Sequence, residues 1–133
     1  MEPRVELPYI REGTLRAFEF LKRLDEDKAA ADIAGCAAYL RGAAGVGGRI
    51  AVLGFCLGGK LAAKASTTDA FAAAVAFYGV GIDKFAPALA AASCPLQLHF
   101  ASRDRFVPEE ARAAIASALS GRGNVEMHLY DTD

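Results

Sequence analysis

The period of the apolar positions changes several times along the chain, and each change predicts an element. Residues 13–23 (GTLRAFEFLKR) place Leu15, Phe18 and Leu21 at helical spacing. Asp25 or Asp27 is placed to cap a second helix running to about Arg41, with Ala30, Ile33, Ala34, Ala37, Ala38 and Leu40 as a broad apolar face. Gly45, Gly47 and Gly48 then predict a turn. Ile50-Ala51-Val52-Leu53 is a short, wholly apolar run, the pattern of a strand buried on both faces. A sharp turn over Gly54–Gly59 leads into a helix from about Leu57 to Ala65. Further strands are predicted at Ala73–Phe77, Leu96–Phe100 and Val125–Tyr130. A short helix over 84–92 and a longer one over Glu109–Leu119, with Pro108 near its first turn, fall between them.

Strands that alternate with helices imply βαβ units and a parallel sheet. The expectation is one α/β domain over residues 1–133, mainly parallel, with helices on both faces. Four strands make a small sheet for that architecture, and Asp133 follows directly on a strand. The pattern reads as the back part of a larger fold.

Composition narrows the function classes. An apolar content of 53% supports a packed core and argues against disorder. Fifteen basic and 16 acidic residues leave a net charge of −1, which gives no pull toward nucleic acid or an anionic membrane. No apolar run approaches the roughly 18 residues of a membrane span, and the N-terminus lacks the apolar stretch of a signal peptide. Cys36, Cys56 and Cys94 are too widely spaced for a zinc knuckle and odd in number for a disulfide framework, so no metal site is expected and a cytoplasmic location is.

The chemistry concentrates at Gly54-Phe55-Cys56-Leu57-Gly58-Gly59, between a strand and a helix. A nucleophile elbow requires that context. Gly54 and Gly58, two residues either side of Cys56, are expected to lack a Cβ because the turn is too tight for one, with Gly59 as the next elbow glycine. The turn would put Cys56 at the N-terminus of a helix, whose partial positive charge favours a thiolate. The backbone N–H of Leu57 would face a developing oxyanion. The alternative is a small buried cysteine in a glycine-rich turn. Asp104 follows one strand and precedes Val107-Pro108 and a helix; it is placed either as a triad acid or as a helix cap. Tyr78 ends the strand after the elbow, where it would either line a substrate cleft or pack in the core.

These segments resemble the dienelactone hydrolase family, whose fold is that of the α/β-hydrolases. Gly54–Lys60 is similar to its elbow, Val75-Ala76-Phe77-Tyr78-Gly79 to its tyrosine–glycine loop, and Leu98–Pro108 to its acid loop. The resemblance runs from about Phe18 to Tyr130 and implies hydrolysis of a small lactone or activated ester by Cys56, with Asp104 as triad acid and no cofactor. It also implies a histidine after the last strand, a few residues beyond Asp133, and an upstream oxyanion loop, glutamate and arginine. Arg4 and Arg11 cannot be aligned to that arginine and read as surface charge. His99 and His128 fall inside strands and read as packed, hydrogen-bonded core residues. Cys36 and Cys94 read as inert packing or boundary positions.

Three other readings compete. A chain without its histidine would be an inactive binding or assembly module, and an uncovered sheet edge would favour association with further copies. A redox thiol protein is disfavoured because no resolving cysteine stands near Cys56. A dinucleotide-binding domain is disfavoured because the glycines do not spell GxGxxG.

Overall fold

The computed structural model describes residues 5–43 and 45–133. Its element order is α1 (Arg11–Lys22), α2 (Glu26–Gly42), β1 (Ala51–Phe55), α3 (Leu57–Ala65), β2 (Ala73–Phe77), a 3₁₀ turn (Ile82–Phe85), α4 (Ala86–Leu89), β3 (Leu96–Ala101), α5 (Glu109–Ala118) and β4 (Val125–Tyr130). Asp25 caps α2 by accepting a hydrogen bond from the Lys28 N–H at 2.9 Å, and Glu26 and Asp27 complement the helix dipole in the first turn.

The four strands are all parallel, in the order β1-β2-β3-β4. An order that advances one way, with right-handed connections, puts successive crossover helices on the same side of the sheet. The burial agrees. On one side Ala74, Ala76, Leu96, Leu98 and Phe100 are buried against Ala63, Ala65, Ile82, Leu89, Ile115 and Leu119 from the crossover segments. The expected α/β class and parallel sheet are therefore present, but among the described residues the helical cover is one-sided.

The other side carries Leu53 and Phe55, both more than half exposed, and the half-buried Val75, Phe77, Gln97 and His99. The two-sided burial expected of β1 is thus corrected: apolar content alone does not say whether both faces are covered. The same holds for α1. Leu15, Phe18 and Leu21 share a face as expected, but all three are exposed. That face borders an apolar groove shared with Leu7, Pro8, Tyr9 and Leu24, which reaches Leu57 beside the elbow. No helix among the described residues is long and apolar enough to cross a membrane.

Candidate active site

All the predicted chemistry lies at the C-terminal edge of the sheet, where open α/β folds bind ligands. β1 ends at Phe55, and Cys56 follows as the N-cap of α3. Its backbone sits at φ 52°, ψ −119°, a region L residues avoid. Such a conformation costs about 1–3 kcal/mol and persists only where the surroundings enforce it. Two hydrogen bonds do so here. The Cys56 N–H donates to the Phe77 carbonyl at 3.0 Å, and the Cys56 carbonyl accepts from the Lys60 N–H at 3.0 Å. The strained turn leaves the cysteine exposed, so it is not a packed small residue. Leu57 is the first residue of α3, and its N–H is among those a helix leaves without an intrahelical partner.

The elbow glycines divide differently from the sequence-based expectation. A Cβ on Gly54 would lie 1.9 Å from the Gly58 carbonyl oxygen, and one on Gly59 would lie 2.4 Å from the Phe77 carbonyl oxygen. A Cβ on Gly58 would meet nothing within 4 Å among the described residues. Gly54 is required because the backbone at Gly58 approaches it, and Gly59 because α3 leans on the end of β2. The predicted steric need at Gly58 is not found. Gly79 completes this junction: its Cβ would lie 2.8 Å from the Lys60 nitrogen.

Tyr78 follows directly on β2 at φ 39°, also in the left-handed region. Its N–H donates to the His99 carbonyl at 2.8 Å, and its ring is tilted on Phe55 at 6.2 Å. It is exposed rather than packed in the core. Tyr78 and Asp104 line one cleft of about 430 Å³ together with His99, Tyr130, Thr132 and Asp133. Asp104 accepts a hydrogen bond from the Phe106 N–H at 2.8 Å, closing a turn within its own loop. It does not cap α5, whose N-cap is Pro108.

The acid loop and the segment after β4 are tied together. The Ser102 N–H donates to the Tyr130 carbonyl and the Arg103 N–H to the Thr132 carbonyl. Arg103 pairs with Asp131 at 2.7 Å and Asp133 at 2.8 Å. Sequence positions that follow β4 therefore start beside Asp104.

His99 and His128 are not core residues. Strand register places Phe55, Phe77, His99 and His128 in one row on the uncovered face. Their rings stack at 5.1, 4.4 and 4.7 Å between successive centroids. His99 Nδ1 bonds the Tyr130 hydroxyl at 2.8 Å, and His128 Nε2 lies 3.3 Å from Glu126. Burial, then the neighbouring His128, pushes the His99 imidazole below its usual 6.5, with Glu126 opposing. A lowered folded-state value means the unfolded chain binds the proton more readily. Stability from this source is full above the unfolded value and is lost as pH falls. Stability should decline between about pH 7 and pH 5, and His99→Phe, which keeps the stack, should flatten that slope. Urea unfolding across this range is the check; an equally steep slope in His99→Phe would rule His99 out as the source.

The remaining candidates are peripheral. Cys94 is buried with its thiol pushed up by desolvation, its Sγ 3.7 Å from the Ser66 carbonyl oxygen. Cys36 is exposed on α2 and so is not a packing residue. Arg11 is exposed at the start of α1, while Arg4 lies outside the described residues. Among the described residues no group of His, Cys, Asp and Glu could hold a metal ion.

Comparison with known proteins gives the chain its family and its fold. The sequence model of the dienelactone hydrolase family matches residues 10–132. Carboxymethylenebutenolidase 1 of Cupriavidus pinatubonensis is 30% identical over 96% of this chain and 55% of its own length. The carboxymethylenebutenolidase of Pseudomonas sp. strain P51 is 30% identical over 87% of this chain and 49% of its own. A solved Klebsiella pneumoniae chain named for the dienelactone hydrolases superposes with a TM-score of 0.72 over 83% of this chain and 50% of its own; at 20% identity this shows the shared fold. The chain spans about half the length of the curated relatives it matches. Over residues 10–132, nearly all of its length, the chain belongs to the dienelactone hydrolase family.

Proposed function

We propose that this chain provides the nucleophile and acid of a hydrolase that opens a small lactone or activated carboxylic ester through a cysteine acyl-enzyme. The observation that carries the reading is Cys56 itself: exposed, at the head of α3, in a conformation that costs free energy and that two hydrogen bonds enforce. The relatives' names give the substrate class its chemistry.

The Cys56 thiolate attacks the carbonyl carbon, forming a C–S bond and moving the π electrons onto oxygen. The Leu57 N–H holds that oxyanion. Collapse breaks the C–O bond and leaves a thioester, and the departing alkoxide takes a proton from an imidazolium. Water, deprotonated by the same imidazole, then attacks the thioester, and the C–S bond breaks to return the thiolate. By the family resemblance the imidazole is that of a histidine placed after the last strand, on the side of the sheet where Asp104 lies. Asp104 orients it, and Tyr78 lines the cleft beside it.

Asp104→Asn tests the reading. It keeps the loop's size but withdraws the charge that orients and stabilises the imidazolium. Hydrolysis of p-nitrophenyl acetate by the protein should fall by about 10²–10⁴-fold in kcat. Unchanged turnover in a folded variant removes Asp104 from the machinery. Absence of ester hydrolysis in the unmodified protein would favour the other reading, a non-catalytic module that uses the open edge of β1 to associate.

A further inference from the structure

Arg112 is the one charged residue that is buried among the described residues, at 8% exposure. It projects from the first turns of α5, and it has no carboxylate partner there. Its Nη1 donates to the Val107 carbonyl at 2.5 Å, and its Nη2 donates to the Ser102 carbonyl at 2.8 Å. A buried guanidinium is costly unless its donors are met, and here they are met by backbone oxygens alone. Those two oxygens flank the segment that carries Asp104. Ser102 lies two residues before it and Val107 three residues after, and Val107 is itself buried.

We infer that Arg112 is a positioning residue that fixes the Asp104 carboxylate for the imidazole it is proposed to orient. The inference rests on the proposed role of Asp104. The planar fork sets the distance between the two ends of the loop, while the Phe106 N–H sets the carboxylate within it. Backbone hydrogen bonds and the Arg103 ion pairs tie the start of the loop to the segment after β4. Past Asp104, Arg105, Phe106 and Pro108 are exposed, so the Arg112 fork and the buried Val107 hold the far end. Lysine offers a point charge on a flexible stem and cannot span two carbonyls in fixed geometry. A displacement of about 1 Å in a group that orients a catalytic base can cost about 10²-fold in rate. The cost should fall on kcat, because Arg112 is buried beneath the loop rather than facing substrate.

The test is a double-mutant cycle on p-nitrophenyl acetate hydrolysis by the protein, with Arg112→Met, Asp104→Asn and the pair. Arg112→Met should lower kcat by about 10–100-fold with KM little changed. In the Asp104→Asn background the same change should cost almost nothing, because there is no carboxylate left to position. A merely structural arginine would multiply the loss equally in both backgrounds, and that outcome overturns the inference. So does full activity in a folded Arg112→Met. If Arg112→Met does not fold, Arg112→Lys provides the same cycle, with a smaller kcat loss expected and the same dependence on Asp104. A wild-type rate in Asp104→Asn instead defeats the proposed acid, separately from the role of Arg112.

Discussion

Cys56→Ala should abolish ester hydrolysis while leaving the fold intact. The substitution removes only the sulfur. The Cys56 N–H to Phe77 and Cys56 carbonyl to Lys60 bonds are backbone bonds and survive it. In the proposed mechanism neither other thiol replaces it, because Cys36 lies on α2 and Cys94 is buried. Loss of a nucleophile in a triad can cost about 10⁶-fold in kcat, leaving only what the oxyanion N–H groups and binding supply. Cys56→Gly should be equally inactive but more stable than the unmodified protein by about 1 kcal/mol. Glycine adopts φ 52° without the strain that cysteine bears there. Steady-state rates and urea unfolding on the two variants check both halves. Retained hydrolysis in either would show that the reaction does not run through this sulfur.

Gly54→Ala should destabilise the protein by about 3 kcal/mol or more, whereas Gly58→Ala should leave stability unchanged or raise it by up to about 1 kcal/mol. The two positions are symmetric about Cys56 in sequence but differ in what a Cβ would meet. The Cβ at Gly54 would sit 1.9 Å from a backbone oxygen, which cannot rotate away as a side chain can. Relief requires β1 and α3 to separate, and Ala62, Ala63 and Ala65 of α3 are buried in that junction. Gly58 already has helical geometry in α3 and open space before it, so alanine mainly improves helix propensity. Chemical denaturation of both variants separates the cases. Equal losses would mean that the elbow is held by something other than the close approach of Gly58 to Gly54.

The sequence marks the elements better than it marks their surroundings. Period and glycine placement locate all four strands to within a residue or two, and the strand–turn–helix context of Cys56 points to the elbow. The position of the loop that carries Asp104 is legible for a similar reason: Asp104 follows a strand and precedes Val107-Pro108 and a helix. Burial is less legible. Ile50–Leu53 and Leu15, Phe18 and Leu21 carry patterns that normally mark covered faces, yet periodicity reports only that an apolar face exists. What lies opposite it depends on strand order and on neighbours. The ring row Phe55, Phe77, His99 and His128 arises from parallel register, which no single strand encodes. Arg112 was equally hidden. It looks like an ordinary polar residue of an amphipathic helix until the loop it holds is folded back over it. A signal did exist, since Arg112 falls on the same side of α5 as the buried Ile115 three residues on.

The measurement closest to the central claim is intact-protein mass spectrometry, followed by peptide mapping, after rapid acid quench of the protein with p-nitrophenyl acetate. An adduct of one acetyl group on the peptide containing Cys56 should appear with the burst of p-nitrophenol and decay as turnover proceeds. Hydrolysis that continues with no acyl group on Cys56, or with the acyl group on another residue, would contradict the cysteine acyl-enzyme.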